Sequence, residues 1–169
     1  MFQCGPCRSA KLLSNQPDIQ IVYFENFFQL KDKEFWENYF MDIEKNIVMK
    51  PKLWWEKRKI GAGTVPIETE EGWLLLYHGV DENNIYRAGA ALLDLKKPEK
   101  EIARLSLPLF SPQYHWEKTG NVSNVVFPTG AVINNNSLFI YYGCADKRIG
   151  FAEISLKKLL TELLKEKKN

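Results

Sequence analysis

The chain has 169 residues, is 45% hydrophobic and 13% aromatic, and sets 23 Lys and Arg against 21 Asp and Glu. That composition can bury a sizeable core, which excludes a disordered chain, a collagen-like repeat and a disulfide-framework miniprotein. A formal net charge of +2 gives no basic footprint for nucleic acid, and no run approaches the roughly 18 apolar residues of a membrane span.

The longest pure apolar run, Trp73 to Tyr77, has the length of a strand. Residues 1–20 lack a basic region followed by an apolar one, so no secretory signal is visible. The expected location is cytoplasmic, with no membrane and no nucleic-acid partner.

At the N-terminus, Cys4-Gly5-Pro6-Cys7 spells a thioredoxin-type sequence. Thiol redox chemistry needs its first cysteine at a helix N-terminus after a buried strand, and a βαβ pattern around it. Only three residues precede Cys4 and no such pattern follows. A zinc site would need a second pair at finger spacing, and the third cysteine, Cys144, is remote. Residues 1–16 are therefore expected to be a lead-in, and residues 17–169 the domain.

Period-2 patterning then dominates. Strands are expected from Ile19 to Phe24 and from Asn46 to Met49, with Lys31 to Tyr39 as a short helix or an insertion between them. Trp73 to His78 and Tyr86 to Leu95 flank the polar turn Asp81-Glu82-Asn83-Asn84 as a hairpin. Ala131 to Ile133 and Ser137 to Tyr142 form a second one across Asn134 to Asn136, whose side chains tolerate left-handed backbone. Arg148 to Ile154 reads as the next strand. Ser155 can cap an amphipathic helix from Leu156 to about Lys165, with Leu156, Leu159, Leu160, Leu163 and Leu164 on one face.

The chain also repeats itself. Gly72 to Gly79 aligns with Asn136 to Gly143 at an offset of 64, and Arg87 to Leu95 aligns with Arg148 to Leu156. A fainter copy is Asp18 to Tyr23. Short antiparallel strands recurring at this spacing predict propeller blades ahead of a sandwich, and two or three blades make an incomplete ring.

Polar residues at strand ends are the candidates for chemistry. His78 closes an apolar strand before Gly79, while Arg58 and Lys59 precede Gly61 and Gly63. Cations, an imidazole and glycine-rich backbone can cradle an oxyanion or phosphate. Asp146 follows Tyr141 and Tyr142, and a carboxylate beside aromatic rings suits a sugar, although a turn aspartate has the same signature. Trp54, Trp55 and Trp116 read equally as sugar platforms or as packing residues. No nucleophile elbow, Walker loop, zinc-protease helix or dinucleotide fingerprint is present. Two histidines are too few for a histidine-rich metal site.

Five segments in order, Lys59 to Gly63, Leu76 to Val80, Tyr86 to Leu95, Asn124 to Gly130 and Tyr141 to Asp146, resemble glycoside hydrolase family 130, the β-mannoside phosphorylases and a few related hydrolases. The resemblance covers roughly residues 17 to 164. It implies an all-β fold, part of a five-bladed β-propeller of about two to three blades, closed by the C-terminal amphipathic helix. It implies inverting phosphorolysis, in which inorganic phosphate and a β-mannoside give mannose 1-phosphate, with phosphate as co-substrate and no other cofactor. By the same resemblance Lys59 and His78 hold phosphate, Arg58 neighbours it, and Asp146 grips the mannosyl ring.

The family's general acid and paired arginines lie in its N-terminal blades and match no segment here. The expectation is a truncated form without its proton donor, self-associating or completed by a missing half. A hydrolase of the same family and a non-catalytic carbohydrate-binding remnant are the alternatives.

Overall fold

The computed structural model describes residues 2–4 and 18–167. Residues 5–17, which hold most of the expected lead-in and all but the first residue of Cys4-Gly5-Pro6-Cys7, lie outside the described residues.

The protein is mostly β, with few helices. Strands β1 (Phe2–Cys4), β2 (Ile19–Ile21) and β3 (Ile47–Met49) form a small antiparallel sheet in that order, and helix α1 (Lys33–Met41) lies between β2 and β3 in the chain. Next come β4 (Lys59–Ala62), β5 (Ile67–Thr69), β6 (Gly72–Val80), β7 (Tyr86–Leu93) and β8 (Glu101–Arg104), an antiparallel meander in which β4 and β5 share one edge of β6. A short α2 (His115–Lys118) leads to a third sheet of β9 (Val126–Asn134), β10 (Ser137–Cys144) and β11 (Arg148–Ser155), followed by α3 (Leu156–Glu166).

Alternation along the strands explains how the sheets stack. On the central sheet, Ile60, Leu75, Tyr77, Ala91 and Leu93 face Ile19, Ile21, Val48 and Met49 of the first sheet. The intervening residues, Leu74, Leu76, Ala90 and Leu92, face Leu138 and Ile140 of the third. Leu159 and Leu163 of α3 close that second layer, and the Ser155 hydroxyl accepts from the Lys158 N–H at the helix start. The central strands are thus buried on both faces, which is why Trp73 to Tyr77 reads as continuous apolar sequence rather than alternation.

The two hairpins and the closing helix match the sequence expectation, but the strand expected from Ile19 to Phe24 stops at Ile21, and β4, β5, β8 and α2 carried no readable signal. The repeat register also needs correction. Tyr77 pairs with Gly89 and Tyr142 with Gly150, and each tyrosine hydroxyl donates to a buried glutamate, Glu56 at 2.6 Å and Glu117 at 2.7 Å. Tyr77 therefore corresponds to Tyr142, an offset of 65 in place of 64. One residue of offset exchanges the two faces of a strand, so the alignment at 64 would set Tyr77 against Tyr141, which is exposed, in place of Tyr142.

Candidate functional site

Strand register brings Lys59 and His78 together. His78 pairs with Gly61, so Lys59, two residues earlier on β4, projects from the same face as His78. Tyr86 opens β7 opposite Val80 and shares that face. The Lys59 ammonium lies 4.9 Å from the centroid of the Tyr86 ring, a cation–π contact. The imidazole lies between Phe127, 4.1 Å away between ring centroids, and Tyr86, 5.7 Å away.

His78 is only 2% exposed, and its Nδ1 is buried with no hydrogen-bond partner. Burial, and then the charge of Lys59, push its pKa down to about 3, so the ring is neutral at pH 7. An unsatisfied buried nitrogen costs on the order of 1–3 kcal/mol.

The turn behind this site is braced. Asp81 accepts the N–H groups of Asn83 and Ile85 and pairs with Arg87 at 2.8 Å. Burial alone would raise the Asp81 carboxyl, but these hydrogen bonds and the guanidinium hold it below its ordinary value. Gly63, following β4, packs where a Cβ would come within 2.7 Å of the Pro128 carbonyl oxygen. That glycine serves the contact between sheets, whereas Gly61 lies opposite His78.

Arg58 donates its backbone N–H to the Val80 carbonyl, and its side chain is exposed. Lys59 follows it with the opposite orientation, so only Lys59 shares the imidazole's face. Asp146 lies in the β10–β11 turn with φ of 52° and an exposed side chain. No hydrogen bond or ion pair joins it to Lys59 or His78. The backbone nonetheless ties its turn to the same end of the sheets. Ala145 N–H donates to the Val125 carbonyl, Val125 bridges Tyr86, and Tyr86 N–H donates to the Asn124 carbonyl.

Of the tryptophans, Trp55 is a core residue stacked on Tyr77, while Trp54 and Trp116 are exposed. Tyr86 and Phe127 stood within segments singled out by sequence but without a role, because ring contacts between sheets leave no local signature. Two surface hollows flank α3, and neither is lined by Lys59, His78 or Asp146. Among the described residues no His, Cys, Asp and Glu cluster could hold a metal ion, and no helix is long and apolar enough to cross a membrane.

These features define a stacked antiparallel β-sheet protein with a buried imidazole and a lysine ammonium on one strand face where two sheets meet. The family model described as β-1,4-mannooligosaccharide phosphorylase matches residues 19–166, and the chain belongs to that family, glycoside hydrolase family 130. A β-1,2-mannobiose phosphorylase of Thermoanaerobacter sp. (strain X514) is 54% identical over 105 residues, which are 62% of this chain and 35% of that protein. The solved β-1,2-mannobiose phosphorylase of Listeria innocua, in complex with β-1,2-mannobiose, superposes with a TM-score of 0.67 at 38% identity, covering 72% of this chain and 35% of that one. A third relative is a solved structure described as showing that the family contains glycoside hydrolases targeting β-1,2 mannosidic linkages in Candida mannan. It gives a TM-score of 0.60 at 32% identity, over 66% of this chain and 34% of that one. The chain thus spans about a third of the length of the relatives it matches.

Proposed function

We propose that this chain carries the phosphate- and mannose-holding part of an inverting β-mannoside phosphorylase. The observation that supports this most is the buried, unpartnered Nδ1 of His78 beside Lys59. In this reading the ammonium and the neutral imidazole fix one phosphate, with Arg58 at the margin and Asp146 accepting hydroxyls of the mannosyl ring. A phosphate oxygen bonds to the anomeric carbon while the bond from that carbon to the leaving sugar oxygen breaks. The leaving oxygen takes a proton from a carboxylic acid, which we place in the part of the family fold that this chain does not span. Holding a weak nucleophile in line supplies roughly 7–11 kcal/mol of such a barrier.

In the same proposal the three stacked sheets are consecutive blades of a five-bladed propeller, and the protein acts in the cytoplasm with inorganic phosphate as its only co-substrate. The name of the 54% identical relative makes β-1,2-mannobiose the first substrate to test, with β-1,4-mannobiose second. Phosphate binding is followed by calorimetry on the chain alone. Turnover is followed by phosphate consumption once the chain is joined to the remainder of a family member. Absence of phosphate binding overturns the reading, and so does turnover by the chain alone, which would place the proton donor within it.

A hydrolase is the second reading, supported by the relative described in terms of β-1,2-mannosidic hydrolysis. It gives mannose without consuming phosphate. Mannoside binding with neither product would leave a carbohydrate-binding remnant.

A further inference from the structure

The second and third sheets repeat one unit, and among the described residues the later copy is a strand short. Glu56 and Glu117 each end a Pro-x-x-x-Trp-Glu segment, residues 51–56 and 112–117. Each accepts the backbone N–H groups three and four positions before it, as well as the tyrosine hydroxyl already described. Gly89 and Gly150 face those tyrosines, so β11 stands in the third sheet where β7 stands in the second. There β8 pairs with β7, with Arg104 opposite Ala91. The corresponding residue of β11 is Ala152, and among the described residues β11 is the edge of its sheet.

What β8 supplies to the first unit is missing from the second. Arg104 donates to Glu56 at 2.8 Å, and the Ser106 carbonyl, just past β8, accepts the Trp55 indole N–H at 3.2 Å. Among the described residues Glu117, 2% exposed, has no ion-pair partner, and the Trp116 indole N–H has no acceptor. Trp55 is fully buried, whereas Trp116 is 44% exposed. On β11 itself Ile149 and Phe151 are 82% and 54% exposed. An open edge with unpaired backbone groups and apolar side chains is a template for strand addition, and a guanidinium makes strong charge-assisted hydrogen bonds to a carboxylate, as Arg104 does to Glu56.

We propose that the free edge of β11 docks a β-strand bearing an arginine opposite Ala152, whose guanidinium reaches Glu117, and that this strand belongs to the two-thirds of a family member that this chain does not span. The occupant's origin rests on the partial-propeller reading above, whereas the open edge rests on the repeat alone.

The first test uses a peptide of residues 99–107, which contains β8, added to the full chain, with amide exchange followed over residues 148–155. Exchange is expected to slow at least tenfold, and Arg104→Gln in the peptide to weaken binding at least tenfold. Equal binding by the two peptides, or no slowing, overturns the arginine pairing. Because only the peptide is altered, the folding of the chain does not enter.

The second test co-expresses the chain with the part of the Listeria innocua phosphorylase outside the matched third. A one-to-one complex with the same protection is expected. A homodimer of the chain protected over 148–155 assigns the edge to a second copy and overturns the proposed occupant, as does the absence of any complex. Phosphate affinity measured on the same samples separates the two readings: a protected complex that binds no phosphate keeps this inference and removes the proposed function.

Discussion

Lys59 and His78 sit on adjacent strands and project from one face, related through Gly61, which pairs with His78 and precedes it on no shared turn or loop. Sheet register, rather than a flexible segment, therefore sets the spacing of the two groups, and the site should exist before any ligand arrives. If both hold phosphate, Lys59→Ala and His78→Ala should each lower phosphate affinity about 10- to 100-fold, since a hydrogen bond to a charged group contributes ~1.5–3 kcal/mol. Calorimetric titration with inorganic phosphate checks this. Unchanged affinity in both variants would remove the two residues from the site.

Neutral burial of His78 gives stability a pH dependence of fixed sign. Its pKa is about 3 in the folded chain against 6.5 ordinarily, so between these values the unfolded chain binds the extra proton. This contribution is complete above pH 6.5 and is lost as pH falls toward 3, at up to ~1.4 kcal/mol per pH unit. Urea titrations between pH 7 and 4.5 should show that slope, and His78→Gln should flatten it. Bound phosphate should reduce the slope as well, because a dianion beside the ring favours its protonation.

Much of this arrangement was legible in sequence, and the failures have physical causes. The hairpins were readable because Asn84 and Asn135 adopt positive φ in turns between apolar strands, and α3 because Ser155 precedes a leucine face. Strands β4 and β8 are four residues each, too short for a period-2 pattern to stand out, and β4 skips β5 to pair with β6. Lys59 and His78 were found as residue types beside glycines, but the slot that Phe127 and Tyr86 make around the imidazole depends on contacts between sheets. The repeat was visible, yet its register was not, because Tyr141 and Tyr142 are adjacent tyrosines and only the pairing with Gly150 and the bond to Glu117 tell which of them corresponds to Tyr77. The Pro-x-x-x-Trp-Glu segments share only three of six residues, Pro, Trp and Glu, so their equivalence rests on the bonds that Glu56 and Glu117 make.

The tyrosine–glycine pairs make the repeat testable. A Cβ on Gly89 would lie 2.5 Å from Trp55 and Tyr77 ring atoms, and one on Gly150 would lie 2.4 Å from the Tyr142 ring. Gly89→Ala and Gly150→Ala should each destabilise by ~1–3 kcal/mol through overpacking. A Cβ on Gly130 meets nothing within 4 Å, so Gly130→Ala should stay within about 0.5 kcal/mol of the parent. Equal effects at the three positions, measured by urea denaturation, would show that rings over glycine are not what limits these sites.

Arg104 offers the sharpest energetic comparison between the two units. Its guanidinium donates to Glu56 at 2.8 Å and to the Lys50 carbonyl at 3.0 Å, and it also binds Glu101, with the Arg104 and Glu56 side chains essentially inaccessible to water. Removing one partner of such a pair costs ~3–5 kcal/mol, because the remaining charge stays buried. Glu117, however, persists with two backbone N–H groups and a tyrosine hydroxyl and with no guanidinium among the described residues. Glu56 would retain the equivalent three donors in an Arg104→Met variant. Such a variant should therefore fold and lose stability near the lower end of that range, whereas Glu56→Leu, which also strands Lys52 N–H, Leu53 N–H and the Tyr77 hydroxyl, should lose more. Urea midpoints for the two variants check the order, and a larger loss for Arg104→Met would mean that the guanidinium, rather than the N–H pair and the tyrosine, holds the carboxylate in place.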